Sequence, residues 1–156
     1  MNNITVRRAV EGDAREVVRV TRDAFEKYAK IAEIAQLEAL EETAEQVERE
    51  IKNAHVYVAE LNNEIVGSLR IVPGRMPGTA DLTRFGVCSR HQGLGVGGVL
   101  MDAVDKDMPT LGISELYLHT ASKVTSLIRF YYSRGFYIES TSDDRGYLRA
   151  HMVKEY

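Results

Sequence analysis

A chain of 156 residues, 44% hydrophobic and 28% charged, can bury one sizeable core, and no linker-like stretch divides it. Its formal net charge of -3 lacks the basic footprint that grips nucleic acid, its single cysteine excludes an intrachain disulfide, and no apolar run approaches the length of a membrane span. These bounds predict a single domain over residues 1–156, cytoplasmic, with no metal centre and neither nucleic acid nor a membrane as partner.

The first residues, Met1 to Arg8, have no apolar targeting core, and within them Ile4 and Val6 alternate with polar neighbours as a short strand does. Asp13 with Glu16 predicts a capping box opening a helix, whose buried face is Val17, Val20, Ala24, Phe25 and Tyr28. From Ala29 to Leu40 the pattern weakens into an alanine- and glutamate-rich connection, part helix and part loop. A second capping box, Thr43 with Gln46, opens a helix that runs through Val47 and Ile51 to about Asn53.

Next come two runs rich in β-branched residues, His55 to Leu61 and Glu64 to Val72. They are joined by Asn62-Asn63, a pair that tolerates the positive φ of a hairpin turn. Pro73, Gly74, Pro77 and Gly78 mark a loop, and Thr79 to Cys88 is the strand after it. Val99, Leu100, Ala103, Val104 and Met108 recur at helical spacing up to Pro109 and Gly112, which are predicted to stop that helix. Glu115 to His119 is a short strand, and Leu127 to Tyr132 a helix closed by Gly135. Phe136 to Glu139 and Tyr147 to Val153 are two last strands around the polar turn Ser142 to Gly146. The order β, α, α, β, β, β, α, β, α, β, β predicts a mixed α/β sheet with helices on its faces.

Between the strand ending at Val87 and the helix beginning near Val99 lies Cys88-Ser89-Arg90-His91-Gln92-Gly93-Leu94-Gly95-Val96-Gly97-Gly98. Glycines at a strand-to-helix junction let the backbone turn tightly and expose its amides, and the start of a helix adds unpaired N–H groups, so the stretch is suited to an anion. Gly93, Gly95 and Gly98 satisfy the dinucleotide pattern G-x-G-x-x-G. That pattern, however, belongs to the first strand and helix of a repeated βαβ unit, whereas here about half the chain precedes it. A nucleotide-hydrolase phosphate loop would carry Lys and then Ser or Thr after the last glycine, where Val99 and Leu100 stand.

The alternative spacing, Gln92-x-x-Gly95-x-Gly97, resembles the GCN5-related N-acetyltransferases, and the likeness covers nearly the whole chain. It includes Ile65-Val66-Gly67, the run Ala80 to Val87, and Phe130-Tyr131-Tyr132-Ser133-Arg134-Gly135-Phe136, which looks like that family's Tyr-x-x-x-Gly-Phe signature. The resemblance implies a mixed, largely antiparallel sheet of about seven strands flanked by four helices, and an acetyl-CoA-dependent transfer of an acetyl group to a primary amine of a small molecule or peptide. It also implies that dimers are common among relatives.

Carried over residue by residue, the resemblance gives the pyrophosphate of acetyl-CoA to the amides of Gln92, Gly93, Leu94, Gly95, Val96 and Gly97. Gly98 would let the helix approach closely, and Val87, Cys88 and Ser89 would pair with the pantetheine arm. Tyr131 matches the tyrosine placed near the sulfur, a general acid, although a core aromatic would look the same; Tyr132 competes less well. Asp81 falls where relatives carry an acidic residue and is the candidate base, with water or a surface role as alternatives. Many relatives have an Asn at the start of the last helix, where this chain has Lys123-Val124-Thr125-Ser126; Thr125 or Ser126 would substitute.

Cys88 has no evident activating base and reads as a small buried residue. His55, His91, His119 and His151 lack metal-ligand spacing, and of these His119, at a strand end, is the one placed to face a substrate. Arg84, Arg90 and Arg129 read as solvated. Acceptor choice is expected from about Ala24 to Glu50 and from the loops Gly74–Gly78 and Ser142–Gly146. A different class of function, an acyl-CoA-binding or sensing module that has lost transfer, shares the same cofactor features.

Overall fold

The computed structural model describes residues 3–156, so Met1 and Asn2 of the segment read as lacking a targeting core lie outside it. Strands β1 (Ile4–Arg8), β2 (His55–Leu61), β3 (Glu64–Pro73), β4 (Thr79–Val87), β5 (Glu115–Ala121), β6 (Tyr137–Ser142) and β7 (Arg149–Glu155) form one sheet in the order β1-β2-β3-β4-β5-β7-β6. Helices α1 (Ala14–Ala32), α2 (Ala44–Asn53), α3 (Val96–Thr110) and α4 (Thr125–Ser133) cover it. Val58 and Ile65 pack with Val17, Val20 and Val47 of α1 and α2, while Tyr57, Ala59 and Val66 pack with Leu100, Val104 and Tyr131 of α3 and α4. Adjacent strand residues thus serve opposite faces, which is why β2 and β3 read as nearly continuous apolar runs.

Every strand pair is antiparallel except β4 with β5, and that parallel ladder is brief. It holds Thr79, Ala80 and Asp81 against Glu115, Leu116 and Tyr117, and beyond Asp81 the two strands part. On its other side β4 carries a bulge against β3 between Ser68 and Arg70, with Arg84 at φ 50°. A bulky residue in the left-handed region is strained backbone, and here it lies in the strand that opens the sheet. Tyr28 of α1 reaches over to the far strand, where its hydroxyl accepts the Ala121 N–H at 2.8 Å. Gly86 lets α1 lie against β4, since a Cβ there would stand 2.6 Å from the Ala24 Cβ.

Several local expectations change. The Asp13–Glu16 capping box does not form. Asp13 accepts the Val10 N–H at 2.8 Å and two bonds from the Arg7 guanidinium, and Glu16 pairs with Arg19 at 2.8 Å. A bidentate charged donor outcompetes the neutral amides of the helix end. The Thr43–Gln46 box forms in both directions. Helix α1 continues through the weakly patterned stretch to Ala32 and ends on Glu33 in the left-handed region, φ 57°, while α3 passes through Pro109 to Thr110. Proline in the last turn forfeits only one ladder bond there. Strand β6 extends to Ser142, and β7 begins at Arg149 rather than Tyr147.

Candidate functional site

Where β4 and β5 part lies a cavity of about 1160 Å³. Its walls are α1 and the segment after it, β4 from Asp81 to Val87, the glycine turn, the end of β5, α4, and the turn before β7.

At one end lies the glycine turn. Gly93 and Gly95 have φ of 83° and 86°, and no atom lies within 4 Å of where a Cβ would stand on either, so the turn faces open space. The first N–H of α3 bonded back is that of Val99, to the Gly95 carbonyl at 3.1 Å, which leaves the amides of Val96, Gly97 and Gly98 without helical partners. No acidic residue occupies the first turn. Lys27 donates to the Gln92 Oε1 at 2.6 Å, and the Gln92 Nε2 donates to the Val87 carbonyl at 3.2 Å, so one side chain ties a cation to the end of β4. Open amides, a helix start and an adjacent ammonium group are together capable of holding an anion.

Midway, Tyr131 is enclosed by Phe85, Phe130 and Phe136, with ring centroids 5.5 to 6.3 Å apart. Its place is set by the end of α4. The Gly135 N–H bonds the Tyr132 carbonyl at 3.1 Å and the Phe136 N–H bonds the Tyr131 carbonyl at 3.0 Å, the paired bonds of a Schellman motif, with the Phe136 ring against Tyr131 as its apolar contact. The Tyr-x-x-x-Gly-Phe pattern is therefore a helix stop that aims the tyrosine. Its hydroxyl makes no hydrogen bond within the described residues, and burial raises its pKa, so it remains a protonated phenol.

Asp81 occupies the last β4–β5 rung, on the cavity wall, and burial raises its carboxyl above the usual range. His119 also lines the cavity. Burial, with the charges of His151 and Arg149 nearby, pushes it down to about 4, so it is neutral near pH 7. The Arg149 Nη1 lies 3.1 Å from its Nδ1; a guanidinium can only donate, so Nδ1 accepts and the ring proton sits on Nε2.

Of the sequence-derived residues, Asp81, Val87, Gln92, Gly93, Gly95, Val96, Gly97, Gly98 and Tyr131 line this one cavity, whereas Cys88, Ser89 and Leu94 do not. The Cys88 N–H bonds the Val66 carbonyl at 2.8 Å and the Ser89 N–H bonds Asp23 at 2.6 Å. Those two amides are used within the protein, as is that of Gln92, which bonds the Ser89 carbonyl at 3.4 Å and so is not free for a pyrophosphate, and the unpaired edge of β4 facing the cleft lies upstream, beyond Asp81. Gly98 is not needed for close helix packing, because a Cβ there would meet only the Arg134 Nη1 at 3.9 Å. Tyr132 is exposed and Ser126, rather than Thr125, reaches the cavity. Arg84 reaches the wall while pairing with Glu42 at 3.3 Å, and Arg90 pairs with Glu64 at 2.8 Å. The Gly74–Gly78 loop lines a separate cavity of about 330 Å³ with His55 and Leu111, so it does not contribute to this one.

Lys27, Asp23 and Arg149 are the contributors that sequence reasoning passed over. The first two meet partners 65 and 66 residues away and carry no local signature, and Arg149 begins a strand that also holds His151, Lys154 and Glu155, so its charge did not stand out.

A model of the family described as Acetyltransferase (GNAT) family matches residues 19–136. Comparison with curated protein sequences gives no match. Among solved structures, the PaiA N-acetyltransferase of Thermoplasma acidophilum in complex with coenzyme A is similar at 22% identity and a TM-score of 0.84, over 99% of both chains. A GNAT family acetyltransferase from Elizabethkingia anophelis with acetyl-CoA bound is similar at 18% identity and 0.73, over 100% of both. A spermidine N-acetyltransferase SpeG chimera from Vibrio cholerae and hSSAT is similar at 17% and 0.77, over 97% of this chain and 95% of that one. At these identities the likeness is one of fold.

Proposed function

The chain belongs to the acetyltransferase (GNAT) family, whose acetyl donor is acetyl-CoA, and from that membership we propose that it transfers an acetyl group to a primary amine by direct attack while both substrates are bound. The observation that carries the reading is the continuity of one cavity from the open-amide turn, along the unpaired edge of β4, to Tyr131 and Asp81. A long donor with an anionic end and a reactive end fits such a channel: pyrophosphate at Gly93 to Gly98, thioester between the parted strands.

In the transfer the amine nitrogen forms a bond to the acetyl carbon, and the carbon–sulfur bond breaks. Asp81 accepts the proton that the amine sheds, directly or through one water, and the Tyr131 hydroxyl gives its proton to the departing thiolate. Burial makes Tyr131 a weak acid, but the same desolvation makes the thiolate a stronger base, so the two stay matched. Solvent restores both groups after products leave.

The test is acetyl-CoA-dependent release of free thiol across a panel of amines, with the acetylated product identified by mass. Tyr131→Phe is expected to lower kcat by about 100-fold, the ordinary worth of a positioned acid, with KM for acetyl-CoA unchanged. Saturable acetyl-CoA binding with no thiol release from any amine would instead favour an acyl-CoA sensor.

A further inference from the structure

The half of the cavity beyond Tyr131, away from the glycine turn, carries opposite charges on different elements of its wall. One side carries the carboxylates of Asp81 on β4 and of Glu38 and Glu41 in the segment between α1 and α2; the single cation there, Arg84, is taken up by Glu38 and Glu42, which leaves Asp81 and Glu41 unpaired among the described residues. The other is basic: Arg149 at the start of β7 and Arg145 in the turn before it. The acidic side is anchored, because Arg84 holds Glu42 at 3.3 Å and comes within 3.9 Å of Glu38.

Arg149 is unusual for a charged residue. Its side chain is 7% exposed, its Nε has no partner, and its Nη1 is spent on a neutral imidazole. The one carboxylate it meets, Asp144 at 3.0 Å, is two-thirds exposed and bonds from the solvent side. An arginine that deep is rarely left with an idle donor, since unmet buried polar groups are costly. Arg145 has no ion pair among the described residues and adds a second positive charge to that wall.

Spacing converts the two walls into a ligand description. Arg149 reaches His119, and position 119 lies two residues along β5 from Tyr117, the rung partner of Asp81. At about 3.3 Å per residue the two charges are about 7 Å apart along the strand, within reach of one compact molecule. Resting on the acetyl-transfer reading above, we propose that the acceptor is an amino acid: a compact amine whose nitrogen lies toward Asp81 and whose carboxylate is taken by Arg149 and Arg145. A polyamine, cationic throughout, would set a positive group against the Arg149 wall, and like charges at that range repel.

The discriminating measurement is initial thiol release with L-amino acids, β-alanine and γ-aminobutyrate, each beside its own carboxamide, and with spermidine. Free acids are expected to exceed their carboxamides and spermidine by about 30-fold or more in kcat/KM, the worth of a charge-assisted pair. Arg149→Met is expected to raise KM for the acid by about 30-fold while altering kcat less than 3-fold, collapsing the preference of acid over carboxamide. If that buried variant does not fold, Arg145→Ala on the exposed turn is expected to raise the same KM about 5-fold. Carboxamides or spermidine used as well as the free acids would overturn the amino-acid acceptor while leaving acetyl transfer standing. Thiol release from none of these compounds would overturn both.

Discussion

Asp81 illustrates how one side chain can serve function at the expense of stability. It sits on the last rung before the strands part, in a wall where burial raises its pKa and no donor compensates. A carboxyl whose folded pKa exceeds its unfolded value binds its proton more tightly in the native state. It therefore costs stability above the folded pKa, and that cost disappears as pH falls below the unfolded value. Asp81→Asn should accordingly raise the melting temperature at pH 7 while lowering kcat/KM about 100-fold and removing the acid limb of the pH–rate profile. A lower melting temperature with full activity would remove Asp81 from the mechanism. That Asp81, Tyr131 and the glycines line one cavity followed from motifs that resemble a family, because each motif is a short local stretch. Tyr28, which reaches Ala121 across 93 residues of sequence, was legible only as a core aromatic, because nothing near it in the chain records a partner so distant.

The segment joining α1 to α2 owes its position to a buried ion cluster. Arg70 on β3 is 1% exposed and holds Glu42 through two bonds of 2.6 and 2.7 Å, and Arg84 from the strained bulge of β4 adds a third. Burial alone would raise the Glu42 carboxyl, but the hydrogen bonds and charge of Arg70, with Arg84, more than reverse this and hold it below its ordinary value. With the folded pKa depressed, the stabilisation is present above the unfolded value, near 4.3, and is lost as pH falls through the folded one. Glu42→Ala leaves the Arg70 guanidinium buried and unpaired, so unfolding by denaturant at pH 7 should show a loss of about 3–5 kcal/mol. A loss under 1 kcal/mol would mean that the cluster does not hold the segment. At this level, how far apart in the chain two partners lie decides which caps are visible in order. The Thr43 box and the Gly135 stop involve residues within one helical turn, so they are visible in order. The Asp13 box lost its acid to Arg7, a competitor from a neighbouring strand.

For the molecule as a whole, the central expectation is linkage between the donor and folding. At a free acetyl-CoA concentration 100 times its Kd, the native state gains about 2.7 kcal/mol, which for a domain of 156 residues corresponds to a rise in melting temperature of about 5–10 °C. A melting curve unmoved by acetyl-CoA would sink the donor site and every step built on it. No helix among the described residues is long and apolar enough to cross a membrane. By itself the sequence determined the element order, the faces that form the core, and an anion seat at the glycine turn, because hydrophobic periodicity, caps and glycine turns are short-range properties of the chain; the donor came from the family resemblance that those motifs carry. Only the tertiary structure decided that the Cys88 and Ser89 amides are already spent, that the Gly74–Gly78 loop belongs to a different cavity, and that Asp81, Arg145 and Arg149 line one cavity. Those outcomes depend on which distant groups the parting of β4 from β5 brings together. That parting follows from one bulge and a three-residue ladder, which leave no periodic trace in the chain.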